Sequence, residues 1–280
     1  MEPRSGASLG VRRGRSVRLL VFCEADADFR TVSALVDRVL QEEGPVWVRD
    51  LMPSHPESIR AWVGDGQGRS FFDLHNIAAY RRYLPNVRFM PGHFDGKPGA
   101  AGAQMARNAF TIARAVARDE EKKRDPPAGV AAVFVVWDMD DQGEGRRHGL
   151  AQARDEASRW ARFRIVLGCP DAAREAWVLA GFEAETDEER ARLDEVRREL
   201  GFCPCQEAHR LRAKEEHVAR SPKLVVRRLT GDDFEREARC STDAPLARLR
   251  GRGVGSGLHA FLQEVKERVV PLWGGSPSRT

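Results

Sequence analysis

The residues of this chain best suited to chemistry are carboxylates at the ends of two apolar runs. Residues 130–145, VAAVFVVWDMDDQGEG, carry a nearly unbroken apolar segment straight into Asp138, Asp140 and Asp141, and then into glycines. Far earlier, VRLLVFCEAD does the same and delivers Glu24 one residue past its apolar run. A run rich in β-branched residues and closed by turn residues predicts a buried strand, parallel and covered on both faces. The carboxyl ends of such strands are where open α/β sheets place their ligands. If the two strands are neighbours, Glu24, Asp138 and Asp140 converge at that edge. Asp138 and Asp140, two apart on an extended segment, then point the same way. Oxygen-only ligands of this kind suit Mg²⁺ or Mn²⁺ and leave open positions for water and phosphate oxygens. Glu24 could hold the ion or move a proton. Two plainer readings compete: an acidic strand-end loop or helix cap, and a receiver-like phosphoacceptor site, which also uses acidic residues at strand ends. Asp141 reads most simply as a solvated loop residue, and Asp26 and Asp28 as an N-cap pair.

The elements that must position these groups follow from periodicity. The first strand is Val17–Cys23. A helix over 28–43 places Phe29, Val32, Leu35, Val36, Val39 and Leu40 at spacings of three and four, stopped by Gly44-Pro45. Residues 46–52, VWVRDLM, predict a second strand. Further strands are expected over 130–137 and 163–168, with a helix around 148–162 between them. Alternating strands and helices over 17–168 predict a parallel, helix-covered sheet. The domain reading is a flexible lead-in over 1–16, an α/β core over 17–180 with a mostly helical insertion over 53–129, and a mainly helical C-terminal region over 181–280.

Composition bounds the alternatives. The chain has 280 residues, 41% apolar and 31% charged, a soluble globular balance with enough length for a sizeable core. No apolar run approaches the length of a membrane span, and no signal-peptide pattern opens the chain. Five scattered cysteines without a secretion signal predict reduced thiols in a cytoplasmic protein. The net charge of +4 arises from 46 basic and 42 acidic residues, with basic clusters at 146–148, 159–164, 223–228 and 248–252. Such clusters suit phosphates, although solvated helix faces account better for any one of them. Cys203, Cys205 and His209 supply at most three zinc ligands with no second cysteine pair nearby. The glycine-rich stretch 95–102 lacks the Gly-Lys-Ser/Thr of a P-loop and reads as a loop.

A glutamate closing the first strand, a helix, and a later apolar strand ending in Asp138-Met139-Asp140 resemble the Toprim domain of topoisomerases, DnaG-type primases and overcoming-lysogenization-defect nucleases. The segments CPDAAREAWVLAG, SPKLVVRRL and GLHAFLQEVKERVVPL are similar to small stand-alone Toprim-like proteins encoded beside ATPases in bacterial defence loci. In the family a glycine usually follows the glutamate; here it is Ala25. The resemblance implies a Toprim-like parallel sheet and a Mg²⁺- or Mn²⁺-dependent nuclease, or nuclease subunit, cutting phosphodiester bonds in anti-phage defence. Glu24, Asp138 and Asp140 are then metal ligands, Glu175 a further ligand, and Lys223 the group that offsets charge on the phosphate. DNA is the expected substrate, its backbone tracked by basic residues including Arg146, Arg147, Arg227 and Arg228. The second reading is a non-catalytic interaction module working with an ATPase on another chain, since no Walker motif is visible here. Assembly into a homo-oligomer is a further expectation.

Overall fold

The computed structural model describes residues 16–84, 93–94, 97–98, 100–123, 129–140 and 142–274. The lead-in before residue 16, Asp141 and parts of the 95–102 loop lie outside them. The chain opens with β1 (Val17–Cys23) and α1 (Asp26–Glu43), then two short helices, α2 (Val46–Leu51) and α3 (Pro56–Ile59). Two short strands follow, β2 (Arg60–Trp62) and β3 (Phe72–Asp73), then a 3₁₀ turn over Ile77–Tyr83. A small antiparallel pair, β4 (His93–Phe94) and β5 (Lys97–Pro98), precedes α4 (Ala103–Lys122). The core closes with β6 (Ala132–Val136), α5 (Gly143–Ala157) and β7 (Arg164–Gly168).

The sheet runs β2-β1-β6-β7, with β3 also pairing β1, and every pairing within it is parallel. β1 and β6 are direct neighbours, with Leu19 opposite Ala132 and Phe22 opposite Val135. Their ends therefore lie side by side, as the converging-carboxylate reading requires. Side chains alternate between the two faces, as the pleat demands. Leu19, Val21 and Phe134 pack with α1, whereas Leu20, Phe22, Val133 and Val135 pack with α4. Both faces are covered, which is why these strands read as continuous apolar runs rather than alternating ones.

One expected strand is a helix. Residues 46–52 open with Val-Trp-Val, a strand-like composition, yet Pro45 caps the short helix α2 over Val46–Leu51, burying only Val48. Two further strands beside β1 come instead from inside the expected insertion. β2 pairs the start of β1 and β3 its end, with Cys23 opposite Asp73. The 53–129 segment is thus partly built into the core sheet.

Beyond β7 the chain is helical: α6 (Glu175–Gly181), α7 (Asp187–Leu200), α8 (Pro222–Thr230), α9 (Phe234–Thr242), α10 (Leu246–Arg252) and α11 (Leu258–Glu264). α11 returns to the sheet, where Phe261 stacks on Trp177 with ring centroids 4.8 Å apart. α6, α7 and α8 form their own apolar cluster around Leu179, Val196 and Val225. No described helix is long and apolar enough to cross a membrane.

Candidate metal and phosphate site

Asp28 shapes the turn that presents Glu24. It stands at the third position of α1, and its Oδ2 accepts the backbone N–H groups of Glu24 at 3.1 Å and Ala25 at 2.9 Å. Ala25 itself is the N-cap, with extended backbone at φ −146° and ψ 167°. Alanine adopts that conformation without strain, so the missing glycine costs nothing here. The expected N-cap pair is corrected: Asp28 caps from inside the helix, and Asp26 is an exposed partner of Arg30.

Two backbone rungs beyond the strands pin the loop after β6. Met139 N–H donates to Pro170 O at 2.9 Å and Asp140 N–H to Ala172 O at 3.0 Å. Asp140 sits at φ 43°, in the left-handed region that aspartate tolerates better than most residues. A turn at Asp140, rather than extended alternation, therefore brings this pair together. Asp138 Oδ1 accepts the backbone N–H of Arg174 at 3.0 Å, which ties the β6 end to the start of α6.

Glu24, Asp138, Asp140, Glu175 and Lys223 all line one cavity of about 310 Å³. They come from the ends of β1 and β6 and the first turns of α6 and α8. At α8, Ser221 is the N-cap, its hydroxyl accepting from Leu224 N–H, and Pro222 opens the helix. Lys223 thus projects from the first turn, where its Nζ lies 3.1 Å from Glu216 Oε1. Arg212 and Lys214 also line the cavity, so its wall is basic where its floor is acidic. A second cavity of about 270 Å³ shares Glu175 and Lys223 and adds Arg227.

Crowded like charges and burial disfavour ionisation at this floor. Burial pushes the Asp138 carboxyl well above the ordinary range, with Asp28, Glu175, Glu24 and Asp140 adding to the rise. Burial also raises Glu24, opposed by His75 and by the Trp137 indole, and reinforced by Asp28 and Asp140. Asp28 is raised mainly by burial, against its backbone donors and Arg174.

The donor chemistry fits a hard divalent cation: oxygen-only groups whose mutual repulsion a cation would relieve. Yet among the described residues no three His, Cys, Asp or Glu side chains are gathered to hold one ion as they stand. Each carboxylate instead has a protein partner. Glu24 Oε1 lies 3.4 Å from His75 Nε2, Asp140 Oδ2 3.1 Å from Arg146 Nη1, and Glu175 Oε1 3.1 Å from Arg174 Nη2.

Arg174, His75, Arg212 and Lys214 were not legible as site residues. Arg174 is buried, and its guanidinium also meets Glu237 at 2.7 Å and Asp28 at 3.6 Å. A lone arginine in a loop carries no periodic signal, although its position beside Glu175 was a usable hint. The four arginines expected along a phosphate track differ in their engagement. Arg146 is turned inward, its guanidinium over the Trp137 ring at 4.3 Å and donating to the Asp138 carbonyl and to Asp140. Arg147 pairs with Glu144 and lies 3.9 Å from Asp171. Arg228 is held by Glu199 at 2.5 Å and Glu195 at 3.3 Å, whereas Arg227 is half-exposed and 3.9 Å from Glu216.

No protein-family model, curated protein or solved structure matches this chain.

Proposed function

We propose that this protein is a Mg²⁺- or Mn²⁺-dependent nuclease, or a nuclease subunit, with a Toprim-like core, acting on DNA in anti-phage defence. One observation carries the reading: Glu24, Asp138, Asp140, Glu175 and Lys223, drawn from four separate elements, line a single cavity. In this reading the four carboxylates hold the ion, and Asp28 keeps Glu24 in place. A bound divalent ion supplies Lewis-acid stabilisation of phosphoryl oxygens and lowers the pKa of water. Lys223 offsets negative charge on the phosphate, and Arg212 and Lys214 draw the nucleic-acid backbone to the cavity mouth. Binding is then salt-sensitive and largely sequence-independent.

A second reading has a specific observation in its favour. Glu24, Asp140 and Glu175 already lie beside His75, Arg146 and Arg174, which suits a non-catalytic module that serves a separate ATPase. One experiment separates the two. Plasmid and single-stranded DNA are incubated with the protein and Mn²⁺, beside Glu24→Gln and Asp138→Asn. Cleavage abolished in both variants supports the nuclease; no cleavage with any metal, together with stable co-purification of an ATPase, supports the module.

A further inference from the structure

The turn after α7 brings two thiols and a guanidinium together, away from the carboxylate site. Cys203, Pro204 and Cys205 follow the left-handed Gly201 that ends the helix. Gln206 N–H donates to Cys203 O at 3.1 Å and Glu207 N–H to the same oxygen at 3.0 Å. The Gln206 bond closes a four-residue β-turn, with Pro204 at its second position and Cys205 at its third. A chain so bent keeps the first and third residues within the roughly 4.4–6.8 Å Cα separation that a disulfide spans.

The surroundings of the two sulfurs differ. Cys205 is buried in the apolar cluster between α7 and α8, whereas Cys203 is half-buried at its edge. Arg197, one turn back on α7, donates from Nη2 to Cys203 Sγ at 3.3 Å. Its Nη1 lies 3.4 Å from Asp194, so the two contacts use different nitrogens. The hydrogen bond from Cys205, helped by Arg197, holds the Cys203 thiol down at about 5, while the same bond and burial push Cys205 up. Cys169, by contrast, is driven up to about 11 by burial, and Cys240 to about 12. A thiolate with a cation at hydrogen-bond distance, partly open to solvent and beside a second thiol, is the arrangement of a reactive cysteine with its resolving partner.

We propose that Cys203 and Cys205 form a peroxide-reactive dithiol, with Cys203 as the attacking sulfur and Cys205 as the resolving one. The Cys203 sulfur attacks a peroxide oxygen, the O–O bond breaks, and Cys203 becomes a sulfenic acid as the departing hydroxide takes up the proton that the Cys203 thiol gave to solvent on ionising and leaves as water. The Cys205 sulfur then gives up its proton and attacks the sulfenic sulfur. An S–S bond forms, and the departing hydroxyl takes that proton and leaves as water. Two thiols are oxidised to one disulfide, and one hydrogen peroxide is reduced to two waters. Arg197 steadies the Cys203 thiolate for its attack.

The test uses the full chain and reads individual cysteines by peptide mass spectrometry. In iodoacetamide at mildly acid pH, Cys203 is expected to label at least about tenfold faster than Cys169, because only thiolate reacts. Arg197→Gln is expected to narrow that gap while leaving Cys169 labelling unchanged. After hydrogen peroxide, the wild-type peptide spanning both cysteines is expected to lose two hydrogens and resist later alkylation. Cys205→Ser is expected to trap a sulfenic acid at Cys203 that dimedone captures. Equal labelling of Cys203 and Cys169 overturns the proposal. So does peroxide oxidation that proceeds unchanged in Cys203→Ser, or a wild-type peptide that gains oxygen without losing two hydrogens.

Discussion

The backbone N–H of Arg174 donates to Asp138 Oδ1 at 3.0 Å, while its guanidinium faces Glu175, Glu237 and Asp28. One residue thus holds the end of β6 with its main chain and compensates three more carboxylates with its side chain. Such a buried cation is costly to desolvate, and its removal leaves the opposing charges unpaired. Arg174→Gln keeps the backbone donor and loses the charge. It is expected to destabilise the protein by about 3–5 kcal/mol, the range for breaking a buried pair. Urea denaturation checks this, and a loss within error of zero would show that solvent already screens the cluster.

The raised carboxyls make a signed prediction about pH. Folded Asp138, Glu24 and Asp28 hold protons to higher pH than they do in the unfolded chain, where carboxyls titrate near about 4. The folded state therefore binds more protons in that interval, and stability falls as pH rises through it. Asp138→Asn removes the largest contributor without changing shape. It is expected to flatten this decline and to stabilise the metal-free protein at neutral pH by on the order of 1 kcal/mol. Thermal melts across the pH series, in chelator, supply the measurement. A melting temperature that climbs from pH 5 to 8 in the wild type contradicts the argument.

Arg146 competes for one of the same carboxylates. It bonds Asp140 at 3.1 Å and its guanidinium sits over the Trp137 ring, so a cation entering the cavity must share or displace it. Arg146→Gln frees Asp140 and removes a positive charge. The expected result is tighter Mn²⁺ binding by roughly tenfold, the equivalent of one charge-assisted hydrogen bond. Calorimetric titration with Mn²⁺ reads this without reference to cleavage. Weaker binding in the variant would mean that Arg146 organises the loop rather than blocking it.

Much of this arrangement was legible in the sequence, for reasons visible in particular residues. β1 and β6 announce themselves because both faces are covered, so Leu19–Cys23 and Ala132–Val136 read as unbroken apolar runs. Their terminal Glu24 and Asp138 follow directly, since parallel neighbours end at one edge. What failed was short or tertiary. Residues 46–52 open with β-branched and aromatic residues that favour strands, but Pro45 initiates a helix there, and six residues give too few turns for helical period to show. β2 and β3 span three residues and two, shorter than any periodic signal. Arg212 and Lys214 reach the cavity only because the chain between α7 and α8 folds back over it. No local pattern of residue types encodes that return.

The packing of α6 against α9 yields a prediction that separates crowding from backbone strain. Gly181 ends α6, and a Cβ there would stand 1.8 Å from the Cys240 carbonyl oxygen, which is main chain and cannot swing aside. Gly181→Ala must push the two helices apart, and overpacking of this kind costs about 1–3 kcal/mol or more. Because α6 begins at Glu175 and α9 carries Glu237, both facing Arg174, the shift is also expected to weaken Mn²⁺ binding. Gly201 provides the contrast: its φ of +75° strains any side chain, yet nothing lies within 4 Å of the added methyl. Gly201→Ala is expected to cost about 1–2 kcal/mol, the price of a left-handed conformation, and to leave metal binding unchanged. Denaturation and Mn²⁺ titration on both variants decide the matter. If Gly181→Ala loses stability but binds metal like the wild type, the α6–α9 contact does not set the position of Glu175.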